Sequence, residues 1–249
     1  MDINLSSRNL SEKIIFLNPM GVDKSFWLNS IPKELYEKYD VVLFDYPGFN
    51  SQYIYQKTIS ETADYIFDKY IRGIDVPIHL CGYSYGGMVA QELLKRDLKE
   101  LKSVILIATQ NKLTTYDKEL NKLLINLFNI DLLLFCRLLV LLSYNPSFVN
   151  ENKMFYLQVF SSIKLSPEIA ECITQQLDQM RQVDEIKFPV LDCSALYLYG
   201  EFDRMVKDNT ANGINQLLPN IEVVKFSNSS HMIDSRLIFK EIIKFLNKM

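Results

Sequence analysis

Apolar positions along this chain follow two alternating rhythms. Lys13-Ile14-Ile15-Phe16-Leu17 and Val41-Val42-Leu43-Phe44 are compact apolar runs bounded by turn residues, the pattern of buried parallel strands. Pro77-Ile78-His79-Leu80-Cys81, Val104-Ile105-Leu106-Ile107-Ala108, Ala195-Leu196-Tyr197-Leu198-Tyr199 and Ile221-Glu222-Val223-Val224-Lys225-Phe226 predict four more strands. Between them the spacing turns helical. Ala63, Ile66, Phe67, Tyr70 and Ile71 share a face between Ser60 and Ile71, and Met88 to Lys95 is rich in helix formers. The chain closes on a helix whose Ile238, Ile242, Phe245 and Leu246 line up. Such alternation predicts an α/β fold, a mostly parallel sheet flanked by helices.

Residues 112–186 break the alternation. They read as consecutive helices with leucine-rich faces, which divides the chain into a core, 1–111 and 187–249, and an inserted helical cap, 112–186. Those leucines could line an acyl or hydrocarbon pocket or pack helix on helix, and the roles are compatible. Leu123 to Leu142 looks superficially like a membrane span. Asn126, Asn129, Asp131 and Arg137 interrupt it, and charges at mid-span are costly in hydrocarbon. A buried or half-buried helix pair is the expectation, with no membrane span.

Composition narrows the class. The 249 residues are 48% apolar and 23% charged, enough for one sizeable core. A net charge of −3 without a lysine-arginine cluster argues against a nucleic-acid partner. Met1-Asp2-Ile3-Asn4-Leu5 lacks the basic and apolar regions of a secretory signal. Cys81, Cys136, Cys172 and Cys193 are far apart, with no metal-ligand spacing, and read as buried free thiols. A cytoplasmic location is the expectation.

The candidate chemistry sits at Gly82-Tyr83-Ser84-Tyr85-Gly86-Gly87, between a predicted strand and a predicted helix. A G-x-S-x-G in that setting is a nucleophile elbow, a strained turn that exposes its serine. Serine needs a base, and the chain has only two histidines. His79 lies inside the elbow strand and cannot reach the turn, so it reads as a hydrogen-bonded core residue. His231 follows the last strand in a polar loop, Ser227-Asn228-Ser229-Ser230-His231, at the sheet end where parallel sheets place their chemistry. Asp203 follows the preceding strand in Tyr199-Gly200-Glu201-Phe202-Asp203-Arg204, with Glu201 and then Asp234 as rivals for the acid. The order Ser84, Asp203, His231 matches this architecture.

With these motifs the sequence resembles the α/β-hydrolase superfamily, in its cap-bearing, esterase-like branch. Leu17-Asn18-Pro19-Met20-Gly21 with Phe26-Trp27 is similar to the segment that supplies an oxyanion donor, although Asn18-Pro19 stands where His-Gly is usual. Asp45-Tyr46-Pro47-Gly48-Phe49-Asn50-Ser51 resembles the family's Asp-x-Pro-Gly turn, and Gly200-Glu201-Phe202-Asp203 its acid turn. The resemblance implies catalysis by Ser84, Asp203 and His231, with an oxyanion hole built from the backbone N–H groups of Tyr85 and Met20. It implies no metal and no organic cofactor. Asn18 is a candidate substrate contact or a turn residue. The expected activity is hydrolysis of an ester or thioester of a small to medium apolar acyl compound, with an acyl-carrier protein as a candidate partner. Acyl transfer, cyclisation or lyase chemistry on the same residues is the alternative, and a ligand-sensing or interaction module is the rival outside enzymology.

Overall fold

The structure is a computed structural model that describes residues 3–4, 11–49, 53–152, 165–206 and 210–249. Asn50 and Ser51 of the Asp-x-Pro-Gly segment and residues 153–164 of the expected insert lie outside the described residues. Seven strands form one sheet among the described residues: β1 (Ile3–Asn4), β2 (Lys13–Leu17), β3 (Asp40–Leu43), β4 (Ile78–Tyr83), β5 (Leu101–Ile107), β6 (Ser194–Gly200) and β7 (Ile221–Phe226). Their spatial order is β1-β3-β2-β4-β5-β6-β7. Every pairing is parallel except that of β1 with β3. The short edge strand β1 was not expected, because two residues carry no periodicity.

Both sheet faces are buried, which is why the strands read as solid apolar runs rather than alternating ones. Along β2, Ile14 and Phe16 face a core with Trp27, Tyr83, Phe239 and Ile242. Ile15 and Leu17 face the opposite core with Ile66, Val89 and Leu93. Each such fully buried side chain contributes on the order of 1.5–3 kcal/mol.

Among the described residues the helices are α1 (Ser25–Leu28), α2 (Lys33–Lys38), α3 (Ile59–Ile66), α4 (Tyr85–Leu93), α5 (Thr115–Ile130), α6 (Leu132–Ser143), α7 (Pro146–Glu151), α8 (Pro167–Gln182), α9 (Thr210–Asn215) and α10 (Ser235–Leu246). The helical spacing that continued past Ile66 to Ile71 is a wider π turn, Phe67–Ile71, closed by Arg72 N–H to the Phe67 carbonyl at 2.7 Å.

Helices α5 to α8 separate β5 from β6, and polar residues start each of them. The Thr114 and Asp117 side chains form a reciprocal capping box on α5. Asp131 caps α6, and Asn145 and Ser166 precede prolines at the first positions of α7 and α8. The two ends of this helical stretch run side by side. Leu113 N–H donates to the Asp184 carbonyl at 3.1 Å, and Ile186 N–H to the Asn111 carbonyl at 2.6 Å.

The apolar tract in α5 and α6 is more exposed than expected. Leu124 and Phe135 are buried, whereas Leu123, Ile130, Leu133, Leu134 and Leu141 face outward. Packing at one stripe satisfies an amphipathic helix, so its remaining leucines stay outside. Among the described residues no helix is long and apolar enough to cross a membrane. Cys81 and Cys172 are buried free thiols, but Cys136 and Cys193 are only half-buried, a correction to the expectation for all four.

Candidate active site

Ser84 sits between β4 and α4 at φ 51°, ψ −115°, a backbone conformation that side-chain-bearing residues rarely adopt. Its neighbours explain how the turn closes. A Cβ on Gly82 would lie 2.4 Å from the Gly86 carbonyl oxygen, and one on Gly86 would lie 2.2 Å from that of Leu17. The missing side chains let strand, helix and the Leu17–Asn18 backbone approach closely. Ser84 N–H donates to the Ile107 carbonyl at 2.8 Å, and Thr109 Oγ1 donates to the Ser84 carbonyl at 2.8 Å. The strained residue is therefore tied to the end of β5.

Ser84 Oγ lies 3.0 Å from His231 Nε2, and His231 Nδ1 lies 2.9 Å from Asp203 Oδ2. Asp203 Oδ1 accepts the backbone N–H groups of Met205 and Val206 at 2.8 and 2.9 Å. An ionised carboxylate only accepts, so His231 carries its proton on Nδ1 and leaves Nε2 to accept from the Ser84 hydroxyl. The side chains of Asp203 and His231 are buried, so bulk water does not compete for these bonds.

The loops holding the acid and the imidazole are laced together. Phe202 N–H donates to the Ser229 carbonyl, and Ser230 Oγ donates to the Phe202 carbonyl. The rival acids are engaged elsewhere: Glu201 pairs with Lys225, and Asp234 caps α10 and pairs with Arg236. His79 is buried, bonded through Nδ1 to Ser103 Oγ at 2.8 Å and through Nε2 to Glu12 at 3.0 Å. Burial holds its pKa below the usual histidine value despite the nearby Glu12 carboxylate. The Cys81 thiol, on the elbow strand, is pushed well above its ordinary range by burial.

Met20 lines the same cavity as Ser84 and His231. Tyr85 opens α4, where its N–H has no partner within the helix. Gly21, at φ 76°, donates its N–H to Gln176 Oε1 at 2.9 Å, which ties the Met20 loop to α8. Asn18 is not brought to the cavity. It is fully buried, its Nδ2 donates to the Phe44 carbonyl at 2.9 Å, and its own carbonyl accepts the Tyr46 hydroxyl. Of the two roles open to Asn18, the geometry favours the turn residue over the substrate contact.

Sequence reasoning missed several cavity residues. Met88, Gln110, Leu113, Asp117, Leu120, Asn121, Met180 and Val206 help wall a space of about 50 Å³ beside Ser84. It also missed Tyr83, the variable residue just before the serine. The Tyr83 hydroxyl donates to the His231 carbonyl at 2.6 Å and accepts Ile233 N–H at 3.0 Å, clamping the histidine loop from beneath. Burial raises the Tyr83 pKa, so the phenol keeps the proton that bond requires. No local motif points to such a clamp. A larger cavity of about 470 Å³ lies beyond the same loop, against Trp27, Tyr144 and Phe148, and its walls do not include Ser84.

The model of the alpha/beta hydrolase family matches residues 14–233. The chain belongs to this family. Among solved structures, this α/β hydrolase is similar to MGS-M2, an alpha/beta hydrolase enzyme from a Medee basin deep-sea metagenome library. The TM-score is 0.83 at 16% identity, covering 100% of this chain and 94% of that one. It is also similar to a thermophilic esterase from Thermogutta terrifontis, with TM-score 0.76, 20% identity, and coverage of 96% and 90%. At these identities the likeness is one of fold. A curated relative, the biotin biosynthesis bifunctional protein BioHC of Teredinibacter turnerae, is 27% identical over 110 residues. That match takes in 43% of this hydrolase and about a fifth, 19%, of the relative.

Proposed function

We propose that this α/β hydrolase is a serine hydrolase that cleaves an ester or thioester of a small acyl group through an acyl-enzyme. The reading rests on the hydrogen-bonded chain from Ser84 Oγ through His231 to Asp203, anchored on a serine of unfavourable backbone conformation. Ser84 Oγ attacks the carbonyl carbon as its proton passes to His231 Nε2. Asp203 keeps the imidazole oriented and stabilises its charged form. The N–H groups of Tyr85 and Met20 receive the oxyanion, and removing one such donor typically costs about 10²–10³ in rate. The tetrahedral species collapses, His231 gives its proton to the departing alcohol or thiol, and a water deprotonated by His231 then hydrolyses the acyl-enzyme.

Residues 112–186 act in this reading as a cap. Helices α5 and α8 lay Leu120 and Met180 against the cavity, and its narrowness favours short acyl groups. A cytoplasmic setting and delivery of the acyl group on a carrier protein belong to the same proposal.

The test is intact-mass analysis after treatment with a fluorophosphonate, with Ser84→Ala as control. One adduct on the native protein and none on the variant is the expected outcome. Equal labelling of both, or no labelling of well-folded native protein, would remove Ser84 as nucleophile.

A further inference from the structure

Asn121 lies on α5 one turn beyond Asp117, and both side chains belong to the wall of the Ser84 cavity. Asn121 is 9% exposed, and its amide makes no hydrogen bond among the described residues. The Gln110 amide, on the segment after β5, lines the same wall and is likewise without a partner among them. Asp117 is more deeply buried still, and only its Oδ2 is spent on the helix cap, accepting Thr114 N–H and Oγ1–H at 2.7 Å each. The rest of the wall is largely apolar and includes Met20, Met88, Met180 and Met205.

Solvent reaches the Asn121 and Gln110 amides in the open cavity, and an amide left without a partner once a substrate displaces that solvent is costly. An all-apolar acyl group would displace that solvent and return nothing to Asn121. A hydroxyl or carboxamide can donate and accept at once, matching the amides of Asn121 and Gln110 and the acceptor on Asp117. A carboxylate would meet the Asp117 carboxylate inside a narrow cavity of low polarity, where like charges repel strongly.

We infer that Asn121 is a specificity-determining residue, selecting a small substrate that carries a neutral hydrogen-bonding group, a hydroxyl or carboxamide, over its apolar and anionic counterparts. This rests on the reading that the Ser84 cavity is the substrate site. It narrows the expected apolar acyl group to one with a polar substituent.

The test compares three 4-nitrophenyl esters of similar size: butyrate, 3-hydroxybutyrate and hemisuccinate. Turnover is measured on the native protein, and binding on Ser84→Ala by calorimetry. The 3-hydroxybutyrate ester should exceed both others in kcat/KM by about tenfold or more. It should also bind Ser84→Ala more tightly. Asn121→Leu should bring the hydroxyl-to-apolar ratio close to one. Equal handling of the butyrate and 3-hydroxybutyrate esters by native protein, or a preference for hemisuccinate, would overturn the inference while leaving serine hydrolysis intact. Because the native comparison needs no substituted protein, poor folding of Asn121→Leu would not blunt it. If Ser84 proved unreactive, the binding order on Ser84→Ala would still decide the matter, separating this inference from the hydrolase reading.

Discussion

The chemistry proposed for Ser84 depends on residues that hold other residues in place. Tyr83 is the clearest case, since one buried hydroxyl fixes both the His231 carbonyl and the Ile233 N–H. Tyr83→Phe should cost about 1–3 kcal/mol of stability, because it leaves those two backbone groups without a partner. As a positioning change it should also lower kcat by up to about a hundredfold with little effect on KM. Steady-state kinetics beside a denaturant titration would check both, and an unchanged kcat in a destabilised protein would reduce Tyr83 to a packing role. Ser84 and His231 were legible because few residues competed, with one elbow and two histidines. Asp203 was preferred from its place after a strand, and the structure adds the distance that sets it apart from Glu201 and Asp234, which pair elsewhere. Asn121 and Tyr83 left no signal, because an asparagine in a helix and a tyrosine in a strand have many ordinary fates.

At the scale of elements, α8 is joined to the core by glutamines rather than by apolar packing alone. Gln175 Oε1 accepts the Tyr53 hydroxyl and Gln56 N–H, and Gln176 holds Gly21. Gln179 accepts the Tyr85 hydroxyl at 2.6 Å and donates to the Gln56 carbonyl at 2.6 Å and to Thr62 Oγ1 at 3.1 Å. Burial raises the pKa of the Tyr85 phenol, which therefore stays a donor. Gln179→Leu keeps the volume and removes these bonds, so it should lower stability by about 1–3 kcal/mol, read as a shift in urea midpoint without a change in slope. No shift would mean that α8 is held by its apolar face. The alternation of strands with helices was readable residue by residue, because burial on both faces leaves solid apolar runs. The described helices α5 to α8 were readable as helices but not as a surface, for periodicity does not say which stripe finds a partner.

For the whole molecule, the two cores on opposite sheet faces meet along β4, which carries His79 at its base and Ser84 just beyond its tip. His79 faces Glu12, Ser103 and the Tyr39 ring, with Lys102 close behind Glu12. Burial depresses its pKa in the folded state, so the unfolded chain takes up a proton first as pH falls. Stability should be complete above the ordinary histidine value of about 6.5 and decline below it until the folded pKa is reached. Urea midpoints between pH 7.5 and 5 would check this, and a His79→Asn variant should flatten that part of the profile. A flat profile for the native protein would show that Glu12 offsets the burial. Local chemistry dictates the order of strands and helices, the glycine-flanked serine turn and the polar loop with its histidine, and all of these are written in the chain. Packing then brings Asp203 to the imidazole, turns the Asn18 amide inward to Phe44 and sets Asn121 in the cavity wall. Those outcomes depend on how the segments after β2, β4, β5, β6 and β7 converge at one end of the sheet. Asn18 and Phe44 are 26 positions apart, Asp203 and His231 28, and Ser84 and His231 147, so their contacts are set by packing and no local window of sequence contains them.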